Sequence, residues 1–233
     1  MRCTGKGECT PFASGLDVVI GLKIQDGNLW LLSNPGRRAA LVRFDLATGK
    51  QTGRYEPEGE HLFNDLALTR AGDVYVTDSR AGAVRHLAPG GTALTRLPGM
   101  YRRCNGITVS GDERLLYIAA FPDGISVMDR ATHASTPIAR PAALSLGGVD
   151  GLYFHRGHLI SMQSGVMLPV VKRFRLSRDG RRIERDDVLE RRHPLYDGVT
   201  TGVIVGRDLY YMANIQEDKT AGFQPITVLR LGL

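Results

Sequence analysis

The chain has 233 residues, 42% of them apolar and 23% charged, which allows a sizeable core and excludes a disordered or fibrous protein. Thirty Lys and Arg against 24 Asp and Glu leave a formal charge of +6, but the basic residues are scattered and acids interrupt their densest stretch, Arg178 to Arg192, which points to a solvated surface and not to a nucleic-acid partner. No stretch approaches 18 apolar residues, residues 1–15 lack a signal-peptide core, and 28 glycines favour a turn-rich β fold; we expect no membrane span and no visible targeting segment.

From the N-terminus, Cys3, Cys9 and Cys104 fit no zinc spacing, and Cys3 with Cys9 reads either as a disulfide or as two reduced thiols. Five short apolar segments of one shape then follow: Ile20-Gly21-Leu22, Asn64-Asp65-Leu66, Asn105-Gly106-Ile107, Asp150-Gly151-Leu152 and Thr201-Gly202-Val203. Their starts lie 44, 41, 45 and 51 residues apart. Each is followed by a Gly, Asp or Asn turn and a second apolar run (Leu29 to Leu32, Val74 to Thr77, Leu115 to Ala119, His158 to Met162, Leu209 to Ala213), which is a hairpin signature. Third runs with alternating residues, such as Leu41 to Asp45 and Val171 to Leu176, and a turn into a fourth strand complete the unit.

Four strands in a period of 40 to 50 residues define a propeller blade. The expected fold is therefore all-β, a β-propeller over residues 1–233 in a single domain, with inner strands beginning near 20, 64, 105, 150 and 201. An inner strand flanked by sheets on both sides explains near-continuous apolar runs such as Gly202-Val203-Ile204-Val205. Residues 1–19 are too few for a blade. They read as the remnant of one whose inner strands are missing, or alternatively as a partner for the last segment, Ile226 to Leu231, closing a five-bladed ring.

The first residues of the five segments occupy equivalent places and should line one rim of a channel: Ile20, Asn64, Asn105, Asp150, Thr201. Two amides and a carboxylate, with no sulfur or imidazole, suit a hard divalent cation, Ca²⁺ first, with Mg²⁺, Mn²⁺ or Zn²⁺ as further options. Asn and Asp before Gly also form turns for purely local reasons. Three in succession at matching places favour the metal.

These segments, together with Asp73-Val74-Tyr75-Val76-Thr77-Asp78-Ser79 and Leu116-Tyr117-Ile118-Ala119, resemble the senescence marker protein and gluconolactonase family of six-bladed propellers, from about residue 16 to the C-terminus. The resemblance implies a channel metal held by a Glu from the first blade, by Asn64 and Asn105, and by Asp150, with about five of six blades present here. No glutamate before residue 20 stands in the required setting; Glu8 lies between two cysteines. Leu62 stands where the family carries a substrate-facing Arg, so sugar-lactone specificity does not transfer.

The activity implied is metal-dependent hydrolysis of a lactone or ester, a small-molecule substrate, with Asp150 as ligand and proton acceptor and His61 or His155 as proton donors on nearby loops. Asp78 reads as a strand-end turn acid. Gln163-Ser164-Gly165 and Asn214 end second strands, and they read either as residues near the channel mouth or as simple turns of the chain. Gly147-Gly148 precedes no helix and is no phosphate loop, and Ser164 lacks a Gly-x-Ser-x-Gly setting. A non-catalytic binding platform and an inactive truncated relative are the competing readings.

Overall fold

The computed structural model describes residues 2–4, 7–165, 167–214 and 226–233, with only the backbone of Cys3; Met1 and residues 5 and 6 of the N-terminal remnant lie outside the described residues. Every regular element among them is a β-strand. The chain divides into two compact units, Met1–Leu97 and Pro98–Leu233.

In the first unit β1 (Arg2–Cys3) and β2 (Cys9–Thr10) form a small hairpin. Two four-stranded antiparallel sheets follow, each wound in chain order. One is β3 (Val18–Gln25), β4 (Asn28–Asn34), β5 (Ala40–Asp45) and β6 (Gln51–Tyr55); the other is β7 (Phe63–Leu68), β8 (Val74–Asp78), β9 (Ala83–Leu87) and β10 (Thr95–Arg96). The second unit repeats the pattern with β11 (Cys104–Val109), β12 (Leu115–Ala120), β13 (Gly124–Asp129) and β14 (Ser135–Pro137). Next come β15 (Val149–His155), β16 (His158–Gln163), β17 (Val170–Leu176) and β18 (Ile183–Arg191), then a three-stranded sheet of β19 (Gly202–Val205), β20 (Asp208–Met212) and β21 (Val228–Gly232). These five sheets are the blades anticipated from the repeat, and the protein is an all-β chain of the β-propeller class.

Local chemistry explains the hairpins. Gln25 pairs with Asn28 across Asp26 (φ 49°) and Gly27 (φ 72°), and His155 pairs with His158 across Arg156 (φ 47°) and Gly157 (φ 78°). Two consecutive positive φ angles make the primed turn whose twist matches that of the strands. Cores form where neighbouring sheets in a unit face each other. Leu32, Leu41, Phe63, Leu66 and Val76 fill the first unit; Tyr117, Val127, Leu152 and Phe174 lie in one cluster of the second and Met162, Leu209 and Tyr211 in another. Each fully buried Leu or Phe side chain contributes about 1.5–3 kcal/mol.

Two expectations need correction or refinement. The run Gly202 to Val205 is not covered on both faces: Val203 is 53% and Val205 58% exposed, and on β3 Leu22 is 54% and Ile24 60% exposed. No described sheet packs on those faces, whereas the inner strands β7, β11 and β15 are largely buried. Among the described residues β1 and β2 pair only with each other, while Val18 and Val19 at the end of the N-terminal remnant already belong to β3; β21 completes the last sheet against β20. Phe12, Ala13 and Leu16 pack on Leu31, Ala40, Val42 and Phe44, covering the outer part of the face whose inner part β3 leaves open. Cys9 is disulfide-bonded and faces Cys3 in the strand register, while Cys104 is a free, buried thiol.

Successive inner strands approach through glycine. A Cβ on Gly106 would lie 2.5 Å from the Asp150 carbonyl oxygen and 2.6 Å from the Leu152 nitrogen; one on Gly151 would lie 2.5 Å from the Thr200 oxygen, and one on Gly21 2.7 Å from the Asn64 oxygen. These obstacles are backbone, which cannot rotate aside as a side chain can. Gly106→Ala should therefore lower unfolding stability by about 2–3 kcal/mol. Gly147→Ala, where a Cβ meets nothing within 4 Å, should stay near wild type, and urea denaturation of both variants checks the difference.

Candidate functional site

Four of the five motif segments coincide with irregularities in strand pairing. The register between the first two strands of a sheet shifts between Val19 and Leu22, Phe63 and Leu66, Cys104 and Ile107, and Val149 and Gly151. Ile20, Asn64, Asn105 and Asp150 each lie inside such a bulge, where an extra residue leaves the ladder and its side chain is re-aimed. Thr201 precedes β19, and its hydroxyl lies 3.4 Å from that of Tyr153.

In the second unit the Gly106 approach sets the bulge of Asn105 directly against the bulge of Asp150, so the amide and the carboxylate leave adjacent strands at neighbouring points. Both residues are half-buried. Asn64 occupies the matching bulge of the first unit, beside Ile20, and its amide nitrogen donates to Ser79 Oγ at 3.3 Å.

Asp150 has a partner in Ser164, a residue without a nucleophile motif around it. Ser164 Oγ donates to Asp150 Oδ2 at 2.9 Å. The serine is held by the preceding loop: its amide and that of Gly165 donate to the Gly148 carbonyl at 3.1 and 3.3 Å, and Gln163 Nε2 donates to the Gly147 carbonyl at 2.7 Å. Gly148 adopts φ +70°, and a Cβ there would fall 2.7 Å from the Gly165 carbonyl carbon, so this glycine permits the approach. Gln163 is 1% exposed, and its side-chain oxygen accepts no hydrogen bond among the described residues. Ser79 and Ser164 each directly follow the second strand of their sheet, a parallel that the sequence does contain.

Of the two histidines, His61 is engaged by other groups and His155 lies at the far end of β15 from Asp150. His61 is buried, with Nδ1 2.7 Å from Asp78 Oδ2 and Nε2 2.8 Å from the Glu58 carbonyl, and Arg85 Nε donates to the same Asp78 oxygen at 3.0 Å. Asp78 also accepts the amides of Leu62 and Ala81, which makes it the strand-end turn acid anticipated and, in addition, the centre of a buried charge cluster. His155 ends β15 five residues beyond Asp150, roughly 16 Å away at about 3.3 Å per strand residue. Burial lowers its pKa below the ordinary histidine value, with nearby Arg156 and His158 acting in the same direction. Asn214 accepts the Thr227 amide at 2.8 Å, just before β21.

The donor set fits a hard cation in kind. It is one carboxylate and one amide from neighbouring bulges, with no thiolate or imidazole in the set. Among the described residues no group of three or more His, Cys, Asp or Glu is arranged to hold a metal, so such a site rests on amide oxygens as much as on charge.

No protein-family model matches the chain, and no curated protein matches it by sequence. Solved structures do match in fold. A gluconolactonase from Xanthomonas campestris is 21% identical, with a TM-score of 0.61 over 88% of this chain and 69% of its own. A luciferin-regenerating enzyme is 15% identical, with a TM-score of 0.60 over 93% and 77%, and the hydrazine synthase of Kuenenia stuttgartiensis is 15% identical, with a TM-score of 0.66 over 94% and 67%. At these identities the likeness establishes the propeller fold and nothing finer.

Removal of the Asp78 carboxylate would leave Arg85 and His61 facing each other in a buried space without a counter-charge. Asp78→Ala should cost about 3–5 kcal/mol. Loss of the exposed pair partner Asp123 should change stability by less than about 1 kcal/mol; thermal unfolding of the two variants distinguishes the cases.

Proposed function

We propose that the protein is a hydrolase of the lactonase type, acting on a small lactone or ester, in which Asn105 and Asp150 hold a divalent cation, Ca²⁺ first. The observation that carries this reading is the pairing of their two bulges through Gly106, with Ser164 fixed on the Asp150 carboxylate. A bound cation would supply Lewis-acid polarisation of the substrate carbonyl. Asp150 accepts the proton of the attacking water and returns it to the leaving alkoxide, so neither histidine is needed. Ser164 acts on Asp150 and not on the substrate: its hydroxyl holds the carboxylate in one orientation. The fold shared with a gluconolactonase is consistent with this chemistry, and so is the resemblance of the Asn-Asp, Asn-Gly and Asp-Gly motifs to the senescence marker protein and gluconolactonase family.

A second reading, a binding platform, draws on a different observation, the apolar residues exposed along β3 and β19. Exposed apolar area of this kind is a mark of interaction surfaces.

Calorimetric titration with Ca²⁺ and Mn²⁺ separates the two. The hydrolase reading predicts micromolar binding that Asn105→Ala and Asp150→Ala abolish, that Ser164→Ala weakens about tenfold, and that Ser164→Thr retains. No binding at millimolar metal would overturn it.

A further inference from the structure

Over the Phe121 ring, which packs against Gly165 next to Ser164, stands a basic residue that the proposed chemistry does not use. Arg103 lies two positions before Asn105, at the same end of β11, and adopts φ 49°, a left-handed conformation that costs a side-chain-bearing residue about 1–2 kcal/mol. Backbone bonds on either side maintain it: the Cys104 amide donates to the Tyr101 carbonyl at 3.1 Å, and the Arg103 carbonyl accepts the Phe121 amide at 3.3 Å. The guanidinium carbon sits 5.2 Å from the centre of the Phe121 ring. Among the described residues Arg103 makes no ion pair, whereas its neighbour Arg102 is paired with Asp123, Nε to Oδ2 at 3.0 Å.

Phe121 links this cation to the site. Its ring occupies the space that a Gly165 side chain would take, and its carbonyl accepts the Gly148 amide at 3.0 Å. Gly165 and Gly148 are the two glycines that fix Ser164 on Asp150. One wall of the site therefore runs from Asp150 through Ser164 and the Phe121 ring to a guanidinium stacked on that ring. Stacking on an aromatic face leaves the N–H edges of a guanidinium free to grip a carboxylate with two parallel hydrogen bonds.

We infer that Arg103 is a specificity residue and that the substrates are acidic: a lactone or ester carrying a separate carboxylate, which docks on Arg103 while its carbonyl lies at Asn105 and Asp150. This rests on the hydrolase reading for the carbonyl end and on Arg103 and Phe121 alone for the acidic end.

The two ends can be tested separately. Calorimetry with glutarate at constant ionic strength reads the acidic end without any reaction. The wild type should bind it, Arg103→Gln should bind at least tenfold more weakly, Arg103→Lys should fall between, and Arg102→Gln should match the wild type. In parallel, Arg103→Gln should raise KM for 4-nitrophenyl hydrogen glutarate about tenfold and leave 4-nitrophenyl butyrate unchanged, with thermal midpoints confirming that the variants fold. Failure of the wild type to bind glutarate, or equal binding by wild type and Arg103→Gln, overturns the inference. If neither ester is cleaved while glutarate binding still depends on Arg103, the hydrolase reading falls and the acidic subsite stands.

Discussion

The close passage of one inner strand over the next depends on residues without side chains, and the rest of the site is organised around that passage. Gly106 lies so near the Asp150 carbonyl that the smallest substituent would meet backbone at 2.5 Å, and Gly151 and Gly21 repeat the relation within their own units. A contact of this kind fixes more than distance. It determines which residue of each strand leaves the hydrogen-bonded ladder, because the glycine and the residue before it share the bulge. The side chain one position ahead of the glycine is thereby presented at one end of its strand, whatever its chemistry: Ile20 in one blade of the first unit, Asn105 and Asp150 in neighbouring blades of the second.

Chemistry then depends on what the protein places at those positions and how firmly it supports them. Asp150 is held by a serine, the serine by a loop carbonyl, and the loop by two glycines packed against each other. This is a sequence of short, directional contacts with little freedom, and such support distinguishes a carboxylate able to take part in a reaction from one that merely closes a turn. The exposed turn acids offer the contrast. Asp112 and Asp179 are each held below the usual carboxylate pKa by a serine hydroxyl and a backbone amide of their own turn, and they lie at the opposite ends of their strands. The buried Asp78 cluster has a different role again: from β8 it ties the segment leading into β7 to β9, and its partners satisfy it so fully that it offers nothing to a substrate.

The fold was largely legible in the sequence because its signals are local. The Asp26-Gly27 turn, the alternation in Leu41 to Asp45 and the recurring Asn-Gly and Asp-Gly pairs each report a conformation within a few residues, and their spacing reports the blade. Contacts that join distant parts of the chain were not legible. Nothing near Ser164 reveals that Gly148, 16 residues earlier, will bring it onto Asp150, and His61 gives no sign of the buried ion pair between Asp78 and Arg85 that immobilises it. Strand composition was equally silent on cover: Val203 and Val205 read as interior residues, since an apolar run looks the same whether or not a second sheet packs on it. The placement of Asn105 and Asp150 lies between these extremes. Their equivalence was visible, but their adjacency became evident only from the glycine contact.

Paramagnetic relaxation tests most directly whether that adjacency makes a cation site. Substoichiometric Mn²⁺ added to nitrogen-15-labelled protein should broaden the amide signals of Gly106, Gly151 and Ser164 first and leave those of the Asp112 and Asp179 turns sharp. Broadening that begins at the exposed turns, or that spreads over the acidic surface without preference for the paired bulges, would contradict it.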